Sequence, residues 1–536
     1  MTHDFIPQRI NDLPMDSKSF STLAPNSVIN LPAPKLSNST NQINLATEHI
    51  CRGFDWNSEI WDRVASEINL LVQKASTNWD NRPCVPHDDA KHIRNVFQQP
   101  LPVKAVEFNT LLGHLHKVVD YSGYNGHPRW LAYITSSPDP VGVLGAFFTA
   151  AINQNNNLWR IAPGATSIEL QCIEWFKEMF DLGADWEGIF SSGGQLANII
   201  ACATARHLQC PWDVRRHGVA GPEGSGRLKF YTSDQAHYCH HQAVELLGMG
   251  SEAIRVVPSD SFYRMRLDRL AEMVAEDRAQ GHIPVAVIAT AGTVGTGAID
   301  PLDDLVEWIQ NQDEKIWLHI DGAYGLPAYL VPEVSFQMAA MRHADSISFD
   351  PHKWLYSPLD AGVTLVRHPH ALRQTFGFQV SYLDQNLLDT CGVDLVDFTP
   401  ENSRPARAFK VWLGLMAHGI EGFRTQIGQD IRLIKYMAKL IETTPDLVLM
   451  TEPDLSIVCW RVEPQGYQGN EEDLNHLQVH ILEELEKQNI AFLSKAKLHG
   501  GKLALRACVV NFRTQATDIE ATVQASADIG RQAAQA

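Results

Sequence analysis

The sequence predicts an α/β fold with a mostly parallel sheet, followed by a smaller α+β unit. Short apolar runs alternate with helical patterns from about residue 165, and such runs are typical of strands that are buried on both faces of a parallel sheet. After about residue 412, a long helical stretch precedes a strand pair, a further helix and a further strand. The predicted strands of the large sheet are 228–233, 285–292, 316–322, 346–351 and 362–368.

Composition and periodicity divide the chain into four parts. Residues 1–50 are rich in Ser, Asn, Pro and Thr and show no helical or alternating period, which predicts a flexible tail. Residues 51–125 form a helical segment, because apolar residues recur at helical spacing there. The large α/β domain is expected over residues 126–412, and the small C-terminal domain over residues 413–536.

Charge and cysteine usage narrow the class of function. The 536 residues carry a formal net charge of −18, whereas nucleic acids and anionic membranes attract clustered positive charge. The N-terminus lacks the basic start and apolar core of a secretory signal, and the longest apolar runs have about half of the ~20 residues that a membrane span needs. Nine cysteines without a Cys-x-x-Cys pair argue against disulfides and structural zinc. We expect a cytoplasmic protein that acts on a small molecule.

Two glycines and a histidine stand where predicted strands give way to helices. Gly193 and Gly194 open an apolar helix, and the free backbone N–H groups of a helix start bind phosphate. His237 follows the strand 228–233, where its ring can stack on a heteroaromatic ring. Alone, the glycines also fit a plain loop, and His237 a satisfied helix start. His237 and His241 have the spacing of paired metal ligands, but no Glu completes a His-Glu-x-x-His site.

Asp321 and Lys353 follow two further predicted strands. Asp321 ends a buried strand at the sheet edge where open α/β folds bind ligands, and a buried carboxylate needs a partner such as a pyridinium N–H. Lys353 follows the strand 346–351 between apolar flanks, which would lower its pKa and make it nucleophilic. Alone, Asp321 also fits a helix cap, and Lys353 a solvated turn. Together, a phosphate cradle, a ring stacker, a buried acid and a lysine are the groups that hold pyridoxal 5′-phosphate (PLP).

The motifs around these residues resemble the group II PLP-dependent amino-acid decarboxylases, which include the aromatic L-amino-acid and glutamate decarboxylases. They are Gly-His-Pro-Arg-Trp (126–130), Ser-Asp-Gln-Ala-His (233–237), Ile-Asp-Gly-Ala-Tyr (320–324), Asp-Pro-His-Lys-Trp (350–354) and the run 404–412. The resemblance covers about residues 55–530. It implies PLP fold type I, the aspartate aminotransferase type, with a mostly parallel seven-stranded sheet. It also implies PLP binding by the large domain and active sites at a homodimer interface.

The resemblance assigns roles to individual residues. Lys353 would hold the cofactor as a Schiff base, Asp321 would keep the pyridine nitrogen protonated, and His237 would stack on the ring. The remaining cofactor contacts would be Gly194, Gln195 and His352 at the phosphate, Ala323 against the other ring face, and Thr293 on the pocket wall. No metal is implied.

The substrate stays open at this stage. The Ser-Asp-Gln-Ala-His motif favours an aromatic L-amino acid. Gly-His-Pro-Arg and the Tyr that follows His237 look more like glutamate-type relatives, so an acidic or diamino acid is the alternative. Asp350 also departs from the aromatic pattern, in which Asn is common.

Other reactions are also compatible with the sequence. Related decarboxylases carry a tyrosine on a loop that closes over the active site, but residues 383–403 contain none. The counted position is Leu395 and the nearest tyrosine is Tyr382, which leaves a decarboxylation-dependent aldehyde synthase as an alternative. An aminotransferase of the same fold is a further rival, although His237 favours a decarboxylase. The combination of Lys353, Asp321 and His237 argues against a non-enzymatic protein.

Overall fold

The structure is a computed structural model, and it describes residues 56–77, 79, 82–221, 227–378 and 392–535. The predicted tail at 1–50 and Tyr382 lie outside the described residues. No helix in the described part of the chain is long and apolar enough to cross a bilayer.

A seven-stranded sheet forms the centre of the protein, in the order β1-β7-β6-β5-β4-β2-β3. Only β7 runs antiparallel to its neighbours, so the predicted mostly parallel sheet of seven strands is confirmed. The strands are β1 (Glu187–Ser191), β2 (Leu228–Ser233), β3 (Ile254–Val257), β4 (Ile283–Thr290), β5 (Trp317–Asp321), β6 (Ser346–Phe349) and β7 (Gly362–Val366). Five of them match the predicted runs to within two residues at each end, whereas β1 and β3 were not predicted.

Helices cover the sheet and bury its apolar side chains. Strands β2, β5, β6 and β7 are buried along their whole length, as expected for a sheet with helices on both faces. The helices up to this point are α1 (Ser58–Ser76), α2 (Ala90–Phe97), α3 (Phe108–Asp120), α4 (Pro140–Ile152), α5 (Pro163–Met179), α6 (Gly194–Gln209), α7 (Val214–His217), α8 (Cys239–Leu246), α9 (Leu267–Ala279), α10 (Leu302–Gln310), α11 (Pro332–Ser335), α12 (Pro351–Trp354) and α13 (Ala371–Phe376).

A second, antiparallel sheet follows in the C-terminal part, in the order β10-β11-β9-β8. Its elements are α14 (Ala408–Thr443), β8 (Leu447–Leu449), β9 (Ile457–Val462), α15 (Glu471–Lys487), β10 (Ser494–Lys497), β11 (Leu503–Cys508) and α16 (Ala516–Gln535). The predicted strand pair is β8 and β9, and the smaller C-terminal α+β unit is confirmed.

Helix α14 joins the two parts of the protein. Its first half packs in the core of the large sheet through residues such as Val411 and Ile427, and its second half packs in the core of the small sheet through Ile434 and Ile441. Gly419 interrupts the helix with a φ of 61°, a conformation that glycine adopts without the steric cost of a Cβ. The predicted boundary between residues 412 and 413 therefore falls inside a helix.

Candidate active site

The carboxyl ends of the parallel strands open into a cavity of about 400 Å³. Open α/β sheets bind their ligands at this edge. The cavity is lined by Ile134, Ser192, Gly193, Gly194, Gln195, Leu196, Asn198, His237, Cys239, Thr290, Gly292, Val294, Asp321, Ala323, Tyr324, Asp350, His352, Lys353 and Leu359. A larger cleft of about 660 Å³ lies between α5 and α14, but its lining contains none of the predicted site residues. The smaller cavity is therefore the candidate active site.

Lys353 projects into this cavity from the short helix α12. Its Nζ lies 3.1 Å from Oδ2 of Asp350, one turn earlier. Burial lowers the pKa of Lys353, but the carboxylates of Asp350 and Asp321 raise it, and the net shift is upward. The predicted lowering of this pKa is wrong, because the prediction considered the apolar flanks and not the nearby acids. In the free protein the lysine is an ammonium, so it must lose a proton before it can act as a nucleophile.

Asp321 ends β5 and is held by donors on both carboxylate oxygens. Oδ1 accepts from the backbone N–H of Ala323 at 3.0 Å and from Ser348 Oγ at 3.4 Å, and Oδ2 accepts from Asn198 Nδ2 at 3.1 Å. Burial raises the pKa of this carboxyl, but the contact with His240 and the Ala323 amide lower it well below its usual range. Asp321 is thus a permanent buried anion at the wall of the cavity.

His240 is a site residue that the sequence interpretation missed. It is fully buried, and its Nε2 lies 2.9 Å from Asp321 Oδ2. The ring is turned so that neither nitrogen makes an aligned hydrogen bond, and its contact with Asp321 is electrostatic. The available signal was its position three residues after His237, which places His237 just before α8 and His240 in the first turn of that helix.

A second group of residues that the sequence interpretation missed lies behind Asp321. His319 Nε2 lies 2.8 Å from Asn198 Oδ1, and its Nδ1 lies 2.9 Å from Ser346 Oγ. Burial lowers the pKa of His319 to about 3, so the ring is neutral and donates from Nε2. This chain of contacts fixes the amide of Asn198 with its Nδ2 toward Asp321.

The spacing of His237 and His241 raised a metal site as an alternative reading of this segment. The described residues instead bring Cys239, His240 and Asp321 together, with their donor atoms within 4.8 Å of one another, and this group does not include His237 or His241. Burial raises the pKa of the Cys239 thiol well above its usual value. A thiol that resists ionisation is a poor metal ligand.

His237 lies at the cavity wall between β2 and α8. Its Nδ1 accepts a hydrogen bond from the backbone N–H of Cys239 at 3.2 Å. Burial lowers its pKa, although Asp321 opposes the shift, so the ring is neutral near pH 7. Ala323, predicted for the opposite face of the cofactor ring, also lines the cavity.

The predicted phosphate end lies at the start of α6. Gly193, Gly194 and Gln195 line the cavity there, and the Gln195 side chain donates to Gln242 at 2.9 Å. The loop packs tightly against β7, because a Cβ on Gly362 would lie 2.5 Å from the backbone of Gly193. The site thus depends on glycine on both sides of this contact.

His352 and Thr293 differ in their relation to the cavity. His352 lines it, and its Nδ1 accepts from the Ala361 N–H at 3.1 Å. Thr293 is fully buried, and its hydroxyl contacts Thr296 and accepts from the Ala298 N–H. Its neighbours Gly292 and Val294 line the cavity instead, so the predicted contact of Thr293 with the pocket is not observed among the described residues.

Leu395, the counted position of the missing tyrosine, also lies away from the cavity. It is buried in a 3₁₀ turn at Leu395–Phe398 and packs in a core cluster with Ile189 and Leu372. Leu395 is not among the described residues that line the cavity, so the counted position does not bring a side chain to it.

The assembled residues fit PLP. A buried anion faces one wall, a lysine projects into the space, and a glycine-bounded helix start lies at one end. Asp350 Oδ1 is buried on the same wall without a hydrogen-bond partner, as expected where a further group completes a site. When bound, PLP supplies an electron sink for carbanion chemistry.

The fold and the site together define a PLP-dependent enzyme of the α/β type. Residues 90–463 match the Pyridoxal-dependent decarboxylase conserved domain. The chain belongs to this family, and it is a PLP-dependent carboxy-lyase.

Similar proteins cover most of the chain. An aromatic-L-amino-acid decarboxylase of Bacillus atrophaeus is 31% identical over 449 residues, which are 83% of this chain and 90% of the relative. A cysteine sulfinic acid decarboxylase of Rattus norvegicus is 27% identical over 77% of this chain and 83% of its own. The crystal structure of Oryza sativa TDC with PLP and tryptamine has a TM-score of 0.82 at 23% identity, and the match covers 89% of this chain and all of that one. This likeness shows the fold.

Proposed function

We propose that the protein removes carbon dioxide from an aromatic L-amino acid and releases the corresponding amine. The observation that carries this proposal is the composition of the cavity wall. Among the described lining residues there is no arginine, and Lys353 is the one lysine. A substrate with an acidic side chain needs a cation of its own. The apolar side chains of Ile134, Val294 and Leu359 instead offer contacts to an aromatic ring.

Lys353, Asp321 and His237 would perform the central roles. Lys353 would hold the cofactor through its Nζ and release it to the substrate amine. The fixed negative charge of Asp321 would keep the proton on the pyridine nitrogen, because the surrounding donors hold the carboxylate ionised. His237 and Ala323 would cover the two ring faces and exclude water. His237 Nε2 is the side-chain nitrogen free to carry a proton toward the substrate carbon, since Nδ1 is an acceptor.

The phosphate would lie at the start of α6. The backbone N–H groups of Gly194 and Gln195 would bind it there, because a helix start is positive. His352 would contribute from the facing wall. The exposed Gln195 side chain is tied to Gln242, so its backbone carries this role.

A decarboxylation-dependent aldehyde synthase is the second candidate. It is favoured by the missing tyrosine in residues 383–403 and by the buried position of Leu395. A phenylacetaldehyde synthase of a Rosa hybrid cultivar is 27% identical over 71% of this chain. Without a proton donor over the substrate carbon, oxygen could intercept the reaction.

We further propose that the protein acts as a homodimer in the cytoplasm. The face of α4 exposes Leu144, Phe147 and Phe148, and a contiguous apolar surface of this kind marks an interface. Leu359 at the cavity mouth is 69% exposed, which a partner subunit would cover. The free thiols of the described cysteines suit the reducing cytoplasm. Sedimentation and cell fractionation test these two points.

A substrate panel tests the proposed reaction. The PLP-loaded protein is incubated with the twenty L-amino acids, and carbon dioxide, amine, aldehyde and hydrogen peroxide are measured under air. The proposal expects carbon dioxide and amine in equal yield, with aromatic substrates fastest. Aldehyde and peroxide in equal yield would support the second candidate, and a preference for glutamate or cysteine sulfinate would contradict the aromatic assignment. Borohydride reduction followed by peptide mapping is expected to place the cofactor on Lys353, and a label on another lysine would refute its role.

A further inference from the structure

Asp430 is a fully buried carboxyl group on α14 that the roles above do not use. Its Oδ2 accepts hydrogen bonds from Trp354 Nε1 at 3.0 Å and from Tyr356 Oη at 2.6 Å. Its Oδ1 accepts from Gln426 Nε2 at 3.1 Å. No cation pairs with this carboxyl in the described part of the chain. A buried acid is costly unless it is paired or hydrogen-bonded, so the donors that it holds indicate what Asp430 does.

Both aromatic donors belong to the turn that carries Lys353. Trp354 follows Lys353 directly and ends α12. Tyr356 closes the turn, because its backbone N–H donates to the Lys353 carbonyl at 3.3 Å. Its φ of 51° is a left-handed conformation, which a residue with a Cβ keeps only where surrounding contacts hold it. A single oxygen of Asp430 therefore holds the two side chains that fix the backbone just after Lys353.

The Trp354 side chain is also held on the face of its ring. It stacks on the ring of Tyr324, with centroids 4.9 Å apart and planes 12° apart. Tyr324 lines the cavity, and its hydroxyl accepts from the Ser456 backbone N–H at 2.9 Å. Stacking and the bond to Asp430 together leave the indole one position, so they connect α14 to the cavity wall.

The position of Lys353 Nζ depends on these contacts. Helix α12 has four residues, and so short a helix is not stable by itself. The lysine side chain is a flexible chain of four carbons, so only its backbone can fix where the amino group starts. Reacting atoms must approach to about 3–3.5 Å in the correct orientation. A small displacement of this turn would therefore move the amine away from the cofactor.

We propose that Asp430 is a positioning residue for Lys353. By accepting from Trp354 and Tyr356, it holds the turn where Lys353 Nζ can form its bond to the cofactor. The inference rests on the proposed role of Lys353. Two hydrogen bonds to one oxygen do not require a charge, so an asparagine with its Oδ1 in the place of Oδ2 would serve equally. Its Nδ2 would then face Gln426, whose amide can turn to present its oxygen.

Two forms of the cofactor separate the position of Lys353 from the shape of the pocket. The Lys353 amine and the PLP aldehyde form a C=N bond and release one water, whereas pyridoxamine 5′-phosphate has an amine in place of the aldehyde and cannot form this bond. Calorimetric titration of the apoprotein gives the Kd of each. Tyr356→Phe and Asp430→Leu should raise the Kd for PLP about tenfold and that for pyridoxamine 5′-phosphate less than about twofold. Asp430→Asn should keep both Kd values within about twofold of wild type.

Tyr231→Phe is the matched control. It removes a hydroxyl that also donates to a buried aspartate, Asp277, at 2.8 Å, but Tyr231 is not among the described residues that line the cavity. Both of its Kd values should equal those of wild type. Circular dichroism verifies that each variant is folded. Tyr356→Phe loses one oxygen only, so it tests the inference even where Asp430→Leu does not fold.

The ratio of the two Kd values decides the outcome. An unchanged ratio in folded Tyr356→Phe would overturn the inference, because both cofactor forms would then depend equally on the turn. A changed ratio in Asp430→Asn would also overturn it, because the acceptor oxygen would then not be sufficient. Wild type that binds PLP without the visible absorbance of the C=N bond would contradict the proposed function instead.

Discussion

Replacement of Asp321 by asparagine separates the charge of this residue from its packing. Asparagine keeps the size of the side chain, and its Oδ1 can still accept from the Ala323 N–H and from Ser348 Oγ, which contact Asp321 Oδ1 at 3.0 and 3.4 Å. Its Nδ2 replaces Oδ2 and faces the Asn198 amide donor and the His240 ring nitrogen. The variant therefore loses the anion while most of the pocket keeps its shape.

The expected loss follows from the role of this charge. Removal of one preorganised electrostatic group from a buried site costs about 3 kcal/mol of transition-state stabilisation, on the order of a hundredfold in kcat. Carbon dioxide release is measured per bound PLP, with loading read from absorbance, so that weaker cofactor binding is not mistaken for slower chemistry. Some PLP should remain bound through Lys353 and the phosphate end.

Asp345→Asn is the matched control for this experiment. Asp345 is also a buried aspartate, but it precedes β6 at the edge of the sheet that lies away from the cavity. Its variant should keep wild-type turnover per bound PLP. If the Asp321→Asn variant kept its rate within about threefold, the proposed electrostatic role would be wrong, since a hundredfold effect is required.

Three further predictions concern the framework of the site. Glu169→Gln should lower the free energy of unfolding by about 3 kcal/mol, because it leaves the buried Arg404 guanidinium without its 2.7 Å partner. Glu174 is by contrast an exposed carboxylate, although its partner Lys177 is mostly buried, and Glu174→Gln should cost under about 1 kcal/mol in urea titrations. Asp430→Asn should remove a loss of stability between about pH 4 and 7. Burial raises the pKa of Asp430 from 3.8 to about 7, so in that window the folded protein keeps this carboxyl protonated while the unfolded chain ionises it, and the wild type becomes less stable as the pH rises. Gly362→Ala should weaken PLP binding in absorbance titrations, because its Cβ would lie 2.5 Å from the glycine loop.

Each of these predictions can fail in a definite way. Equal urea midpoints for the Glu169→Gln and Glu174→Gln variants would mean that the fully buried pair adds no more than a pair whose carboxylate is exposed. Parallel thermal-stability curves for wild type and Asp430→Asn between pH 4 and 8 would remove Asp430 from the pH dependence. Unchanged PLP affinity in Gly362→Ala would show that the loop can move without cost.

Local sequence patterns were sufficient to predict much of the fold. Strands such as β4 and β5 are short apolar runs bounded by turns. A continuous apolar run of this length is typical of a strand that is buried on both faces, so these strands could be predicted from the sequence. Strands β1 and β3 were missed because Glu187 and Arg255 interrupt their short apolar runs, whereas the predicted strands have continuous apolar runs. The first turns of α14 were not predicted as part of the helix, because Gly419 interrupts its helical pattern.

The site was less predictable, because its electrostatics depend on contacts between elements. The sequence places Lys353 after a strand, but the turn of α12 brings Asp350 to its amino group and reverses the direction of its pKa shift. His240 reaches Asp321 only because α8 packs beside the end of β5. Thr293 lies within a tight turn, and its hydroxyl accepts a hydrogen bond from the backbone N–H of Ala298 in that turn. No local pattern in the sequence indicates this contact.

Helix α14 contributes side chains to the cores of both sheets. This matters for the design of hybrid proteins, in which parts of related chains are joined to change the substrate preference. A junction between residues 412 and 413 would cut an unbroken helical turn whose side chains pack in the core of the large sheet. Gly419 is a natural joint, because the backbone already leaves the helical path there. A hybrid protein joined at Gly419 would take Val411 and Leu415 from one parent and Ile427 and Ile434 from the other, so side chains of both parents would meet in the core of the large sheet.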